Sequence, residues 1–341
     1  MTRFVSILVF AFACSQSTEP PIDPIDPIDP VNPVDPVTSV SDPLTRCFLD
    51  GGELVLRHEV DNDDVTEHGE VISFATQGER LAVGSADGTL KLWTLDGFLG
   101  TLSSGELLYG AELAATPSLD LTFVGDEVFG GDARGLVTAW AVPESGDTFT
   151  GAFRVVGGTD PDVAIVAVAV DGEWLAHAEA REGRGRCGFV GLDGSTVIGP
   201  LEVSMENVLD LAFVDDALFV AGDALVRVDA EGRVDTRADV EAHELAGRGQ
   251  TLATVDGARV RLFDTELNER WTGASEAFSV ALSPDAGVVF LLDAESLEVR
   301  AADDGRVLTR RTLDAGVVVR SDAASVFTAS RDGFVRAFGC E

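Results

Sequence analysis

Self-similarity at a fixed spacing is the strongest constraint on what this chain can fold into. Leu119-Asp120-Leu121-Thr122-Phe123-Val124-Gly125-Asp126-Glu127-Val128-Phe129 returns 90 residues later as Leu209-Asp210-Leu211-Ala212-Phe213-Val214-Asp215-Asp216-Ala217-Leu218-Phe219, two units of 45. Ser85-Ala86-Asp87-Gly88-Thr89-Leu90-Lys91-Leu92-Trp93 has its counterpart in Ser330-Arg331-Asp332-Gly333-Phe334-Val335-Arg336-Ala337-Phe338. A repeat of this length is one supersecondary unit that buries its apolar faces only against its neighbours. Short apolar stretches alternate with Asp-Gly, Gly-Asp and Pro-Asp turns, and helical periodicity is nearly absent. That is the pattern of an all-β domain. Inner strands are predicted to begin near Val71, Leu119, Val163, Leu209, Val240, Phe278 and Val317, at spacings of 31 to 48 residues. Each spacing fits one four-stranded blade. The expectation is a single seven-bladed β-propeller over residues 46–341, with six or eight blades as the alternatives.

Ring closure supplies an independent argument. The last unit, from Val317 to Glu341, holds three strands, and Glu53–Val60 is placed to be its fourth. Pairing the two ends removes an open sheet edge. Cys47 and Cys340 fall beside that junction, and a disulfide between them would staple it. Cys187 is then expected to be an inert strand thiol.

Several segments resemble the WD-repeat family. His68-Gly69-Glu70-Val71-Ile72-Ser73-Phe74 resembles that family's entry into an inner strand, with the Gly-His order reversed. Leu81 to Trp93 is similar to its second and third strands, and Phe278-Ser279-Val280-Ala281-Leu282-Ser283-Pro284-Asp285 to another inner strand. The resemblance implies a hydrogen-bonded set that locks a blade, here His68, Ser85, Asp87 and Trp93 in the first. Other blades keep fragments of it: Trp140 in the second, Asp332 and Phe338 in the last.

The N-terminus speaks to location. Residues 1–13 carry Arg3 and then the apolar run Phe4–Ala13, too short for a permanent span and suited to an export signal. Ala11-Phe12-Ala13-Cys14 resembles a bacterial lipoprotein signal, which implies lipidation of Cys14. Ser15 follows, without the Asp that commonly retains lipoproteins in the inner membrane, so the resemblance points to the outer membrane, facing the periplasm or the cell surface. Residues 14–45 form a Pro/Asp-rich tether with proline every third position from Pro21 to Pro36. Thirty-one polyproline II residues reach roughly 90 Å at ~3.1 Å each. The period sets Asp23, Asp26, Asp29, Asn32 and Asp35 along one edge, read as a solvating edge in preference to a calcium ladder.

Chemistry is sparse. A net charge of −35 excludes nucleic acid as a natural partner. The four histidines, His58, His68, His177 and His243, show no metal-ligand spacing, and no Gly-x-Ser-x-Gly elbow occurs. Asp264 to Trp271 is a loose echo of quinoprotein-type repeats, too loose to imply a bound cofactor. Asp120 and Asp210, on equivalent inner strands, are the candidates to converge on a central channel, against the preferred reading that they cap turns or solvate the channel wall. The reading is therefore a membrane-tethered, monomeric protein–protein interaction scaffold of the cell envelope, non-catalytic and without a cofactor. It attaches to the membrane through its N-terminal lipid only. The alternatives are a calcium-dependent lactonase-like hydrolase using Asp120 and Asp210, and an outer-membrane assembly factor related to quinoprotein-type propellers.

Overall fold

The computed structural model describes residues 42–341 apart from 62–69, 87, 104–117, 144–152, 159–162, 173, 181–184, 193–196, 204, 230–232, 238, 315 and 323–324. Its compact body runs from Ser41 to Glu341. The strands form seven antiparallel sheets of four, each an up-and-down meander. The inner strands of blades 1 to 7 are Val71–Gln77, Ser118–Val124, Ala164–Asp171, Val208–Val214, Glu244–Arg248, Ser279–Leu282 and Gly316–Asp322. Six of these begin within one residue of their expected starts. The fifth does not: Val240 is buried in the connection ahead of the strand, its N–H bonded to Arg237 O, and the strand opens four residues later at Glu244. His243, expected inside that strand, sits one residue before it, exposed and 3.2 Å from Glu241.

The core is distributed. Buried side chains fall into seven clusters, one in each slot between neighbouring blades. Alternation along each strand sends one set of side chains into each flanking slot. In blade 7, Val319, Val326 and Phe338 enter the slot shared with blade 6, while Phe327, Ala329, Val335 and Ala337 enter the slot shared with blade 1. The second slot exists only because the ring is closed.

Closure uses the N-terminal strand as expected. Leu54–Asp61 pairs antiparallel with the final strand Phe334–Cys340, from Leu54 opposite Cys340 to Asp61 opposite Phe334. Glu53 and Glu341 extend the ladder by exchanging both backbone hydrogen bonds. Cys47 and Cys340 are disulfide-bonded across 293 residues of sequence, with their Cα atoms 6.0 Å apart. Gly52 makes this junction fit: a Cβ there would lie 2.4 and 2.5 Å from the two sulfurs.

One helix, Pro43–Leu49, precedes the closing strand, and its seven residues are too few to leave a periodic signature in the sequence. Asp42 caps it, accepting from Leu44 N at 2.8 Å, and Pro43 occupies the first turn, where no N–H is needed. The helix seats on the slot between blades 6 and 7. Leu44 and Phe48 join that core, and Phe48 meets Phe290 edge-on with ring centres 6.0 Å apart. Asp285, at the tip of blade 6's first hairpin, receives Asp42 N at 2.7 Å and Thr45 Oγ1 at 2.5 Å.

Removing the staple tests how much closure depends on it. Constraining so long a loop contributes about 2–5 kcal/mol. The Cys47→Ser/Cys340→Ser double variant should therefore lose stability on that scale in denaturant unfolding at unchanged secondary structure. A loss under about 0.5 kcal/mol would show that strand pairing alone closes the ring.

The central channel as candidate functional site

Each inner strand pairs on one side only; its other edge borders the channel and offers unpaired N–H groups. Five of the seven carry a register shift at the same place, just before Ser73, Asp120, Ala167, Asp210 and Val318. Counting back from the hairpin in blade 5, and from equivalent entry hydrogen bonds in blade 6, Glu244 and Ser279 occupy the same level. Three members of this first tier link blade to blade. Asp120 accepts from Leu121 N at 2.9 Å and, in the next blade, from Val168 N at 2.8 Å. Asp210 repeats the pattern with Leu211 N at 2.8 Å and Leu245 N at 2.9 Å. Ser279 accepts from Val319 N at 3.0 Å. In each case the first-tier side chain satisfies an N–H that the inner edge of the next blade leaves bare.

Two residues further along lies a second tier: Ala75, Thr122, Ala169, Ala212, Ala246, Ala281 and Arg320, all lining the channel cavities. Six small side chains leave room at the axis for one guanidinium. Arg320 Nη1 donates to Glu244 Oε1 at 2.8 Å and to Val319 O at 2.9 Å; its Nη2 lies 3.9 Å from Asp120 Oδ1. Ser279 Oγ also donates to Glu244 Oε1, at 2.9 Å. The expected pair Asp120 and Asp210 is thus brought to the channel, joined by Glu244, Ser279 and Arg320, which the sequence reading did not single out.

Three carboxylates share one arginine. Burial pushes Asp120 and Glu244 above the usual carboxylate range, against the pull of Arg320. Asp210 is pushed well above it, by burial first and then by the charges of Glu244 and Asp120. Arg320 is held charged by Glu244, Asp120 and Asp210, which outweigh its own burial. The side chains of Asp120 and Glu244 are 16% and 15% exposed, and that exposure is to the channel, so water tempers these shifts. Among the described residues, no group of three or more His, Cys, Asp or Glu side chains is arranged to hold a metal ion.

The remaining candidates separate. Ser85 and Trp93 are buried in blade 1, whereas His68 and Asp87 lie outside the described residues, as do Cys14 and the tether aspartates. The last blade carries a related lock: Ser330 Oγ donates to Asp332, and Arg336 Nη1 donates to Ser330 Oγ at 2.9 Å. Cys187 is fully buried, and burial together with Glu179 pushes its thiol up to about 12, which leaves it protonated and inert. His177 is buried in the second strand of blade 3, Nε2 3.5 Å from Glu179 Oε1. In the quinoprotein-like echo, Asp264 closes a turn onto Glu266 N and Asn268 N, both at 2.9 Å, and Trp271 Nε1 donates to Ala302 O of blade 6 at 2.8 Å.

The channel acids and the turn acids titrate in opposite senses. Asp256, Asp264, Asp293 and Asp332, held below their ordinary value by hydrogen bonds to nearby N–H and side-chain donors, add stability that is lost as pH falls through their lowered values. Asp210, held above, adds stability that is complete below the ordinary 3.8 and is lost as pH rises through its raised value. Asp210→Asn removes that loss while keeping one carbonyl acceptor. Its stability relative to wild type should improve as pH rises above the ordinary 3.8 in urea unfolding. Parallel pH profiles for the two proteins would contradict the assignment.

No protein-family model and no curated sequence matches this chain. Solved structures do match. The WD40 β-propeller domain of Doa1 superposes with a TM-score of 0.68 at 14% identity, covering 84% of this chain and 97% of that one. Raptor of Chaetomium thermophilum gives a TM-score of 0.68 at 13% identity, over 87% of this chain and 30% of its own length. At such identities the likeness is one of fold. The chain has the seven-bladed architecture of the WD40 β-propeller domains.

Proposed function

We propose that this protein is an exported, lipid-tethered β-propeller that works in the cell envelope as a non-catalytic scaffold for a partner protein. The observation that carries the reading is how the channel acids are used. Asp120 and Asp210 each spend both oxygens on backbone N–H groups, and Glu244 is bonded to Ser279 and Arg320. A general base or nucleophile needs a lone pair free to reach substrate. Here one oxygen of Asp120 and one of Asp210 bridge to the next blade, and Glu244 Oε1 holds Ser279 and Arg320. The disc they consolidate is rigid, and WD40-type propellers commonly serve as protein-interaction scaffolds.

Tethering rests on the sequence: the apolar run Phe4–Ala13, Cys14 at the lipoprotein-like cleavage point, and the Pro/Asp-rich residues that follow. Among the described residues no helix is long and apolar enough to cross a membrane; in this proposal attachment is through a lipid on Cys14. The scaffold is monomeric in this proposal.

Fractionation tests the anchor. In a bacterial host the full chain should sediment with outer membranes, and Cys14→Ser should move it to the soluble fraction; the same distribution for both would refute lipid anchoring. Crosslinking of the full-length protein in its native envelope tests the scaffold. Recovery of one defined protein partner is expected. Lactone or ester hydrolysis that Asp210→Asn abolishes, at retained fold, would replace this reading with a catalytic one.

A further inference from the structure

Arg248 stands apart from the other cations. Acidic residues outnumber basic ones, 59 to 24. Arginines accordingly find acidic or carbonyl partners, for example Arg154 with Glu127, Arg237 with Asp239, Arg311 with Leu54 O and Arg336 with Glu59. Among the described residues, Arg248 alone of the arginines makes no hydrogen bond or ion pair. It ends the inner strand of blade 5, at the mouth of the channel formed by the first hairpins of the blades. Arg270 braces its hairpin from behind, through Thr251 Oγ1 at 3.2 Å and Gln250 O at 3.1 Å, and leaves Arg248 itself unengaged.

The first tier, at the opposite end of the channel, holds Asp120, Asp210 and Glu244; Arg320 follows one tier down, and Arg248 lies one tier further, level with Asp171 and Asp322. Arg248 and Arg320 line a common cavity of about 400 Å³ with Thr76, Gln77, Thr122 and Asp322. That volume holds roughly a dozen waters at ~30 Å³ each, and it lies in the range of small-molecule sites. Arg320 meets Glu244 through Nη1 only; its Nη2 is 3.9 Å from Asp120, beyond hydrogen-bond reach. The one acid on this wall is already engaged, since Asp322 Oδ2 accepts from Gly78 N. The wall therefore offers two guanidinium groups with unused donors, flanked by the amide of Gln77 and the hydroxyls of Thr76 and Thr122.

We propose that this mouth of the channel binds a small organic di- or tricarboxylate, clamped between Arg248 and Arg320. Guanidinium forks match carboxylates geometrically, and two of them set along one cavity select an acid with two or more carboxylate groups. A protein of net charge −35 repels anions at long range. Binding must come from short-range donors, and Arg248, carried on the hairpin that Arg270 braces, and Arg320, held by Glu244, are such donors. The site extends the scaffold reading without depending on it: a carboxylate here would fill the disc from one face whether or not a protein sits on the other.

Citrate is the probe, titrated calorimetrically into the full chain at constant ionic strength with chloride as the balancing anion. Saturable one-site binding is expected, weakened at least about tenfold in Arg248→Gln and unchanged in Arg306→Gln, which removes an exposed arginine paired with Asp304. Acetate, with a single carboxylate, should bind at least about tenfold more weakly than citrate. Three results would overturn the proposal: no saturable citrate binding to the wild-type chain, Arg248→Gln binding citrate within about twofold of wild type, or acetate binding as tightly as citrate. Matching thermal melts of Arg248→Gln and wild type without citrate would separate lost binding from lost fold.

Discussion

Every blade buries both of its faces, and from that requirement the rest of the structure follows. A single four-stranded sheet with two apolar faces has no stable existence in water; seven in a ring have none to spare. The seven core clusters are the seven contacts of the ring, and the slot between blades 7 and 1 is as apolar as the others, with Val60, Val71, Phe74, Phe327 and Val335 packed together. An open ring would expose that slot and a sheet edge at once. This is why the closing strand comes from the far end of the sequence, and why a disulfide and a capped helix are concentrated where the two ends meet.

Closing the ring creates a second demand at its centre. Seven strand edges face one another around an axis too wide for direct pairing, so their bare N–H groups need acceptors of another kind. Asp120, Asp210 and Ser279 supply them from the preceding blade, and Asp322 does the same for Gly78 at the other end of the channel. Carboxylates do this well because each oxygen accepts independently, but they bring charge into a confined space. Arg320 offsets part of it, and burial beside Glu244 and Asp120 holds the most crowded member, Asp210, well above the usual carboxylate range. The electrostatics of the channel are a by-product of joining the blades.

Period, blade number and closure were legible because each leaves a mark at every repeat: turns, apolar stretches, and a missing strand that had to come from somewhere. Misplacing the fifth inner strand has a local cause, since Val240 has the apolar character of a strand start but packs as an anchor in the preceding connection. Asp120 and Asp210 were visible as equivalent acids; their task was not, because it depends on a neighbour's N–H that no single repeat reveals. Arg320 was legible in principle. Superposed at the second tier, the copies read Ala75, Thr122, Ala169, Ala212, Ala246, Ala281 and then Arg320, and only a tier-by-tier alignment exposes the exception. Glu244 and Ser279 escaped notice because they meet only through the ring, 35 positions apart.

The Cys47–Cys340 bond also sets how the molecule bears load. A pull on the chain ahead of Asp42 meets first the helix seated on blade 6 and then, at Cys47, a covalent bond to the final strand. The closing strand Leu54–Asp61 comes only after that point. Tension therefore passes directly into Cys340, and the hydrogen bonds between the first and last strands are not peeled apart one at a time. A disc held by its N-terminus could be tugged or dragged through a crowded medium while the seam of its ring remained unstressed.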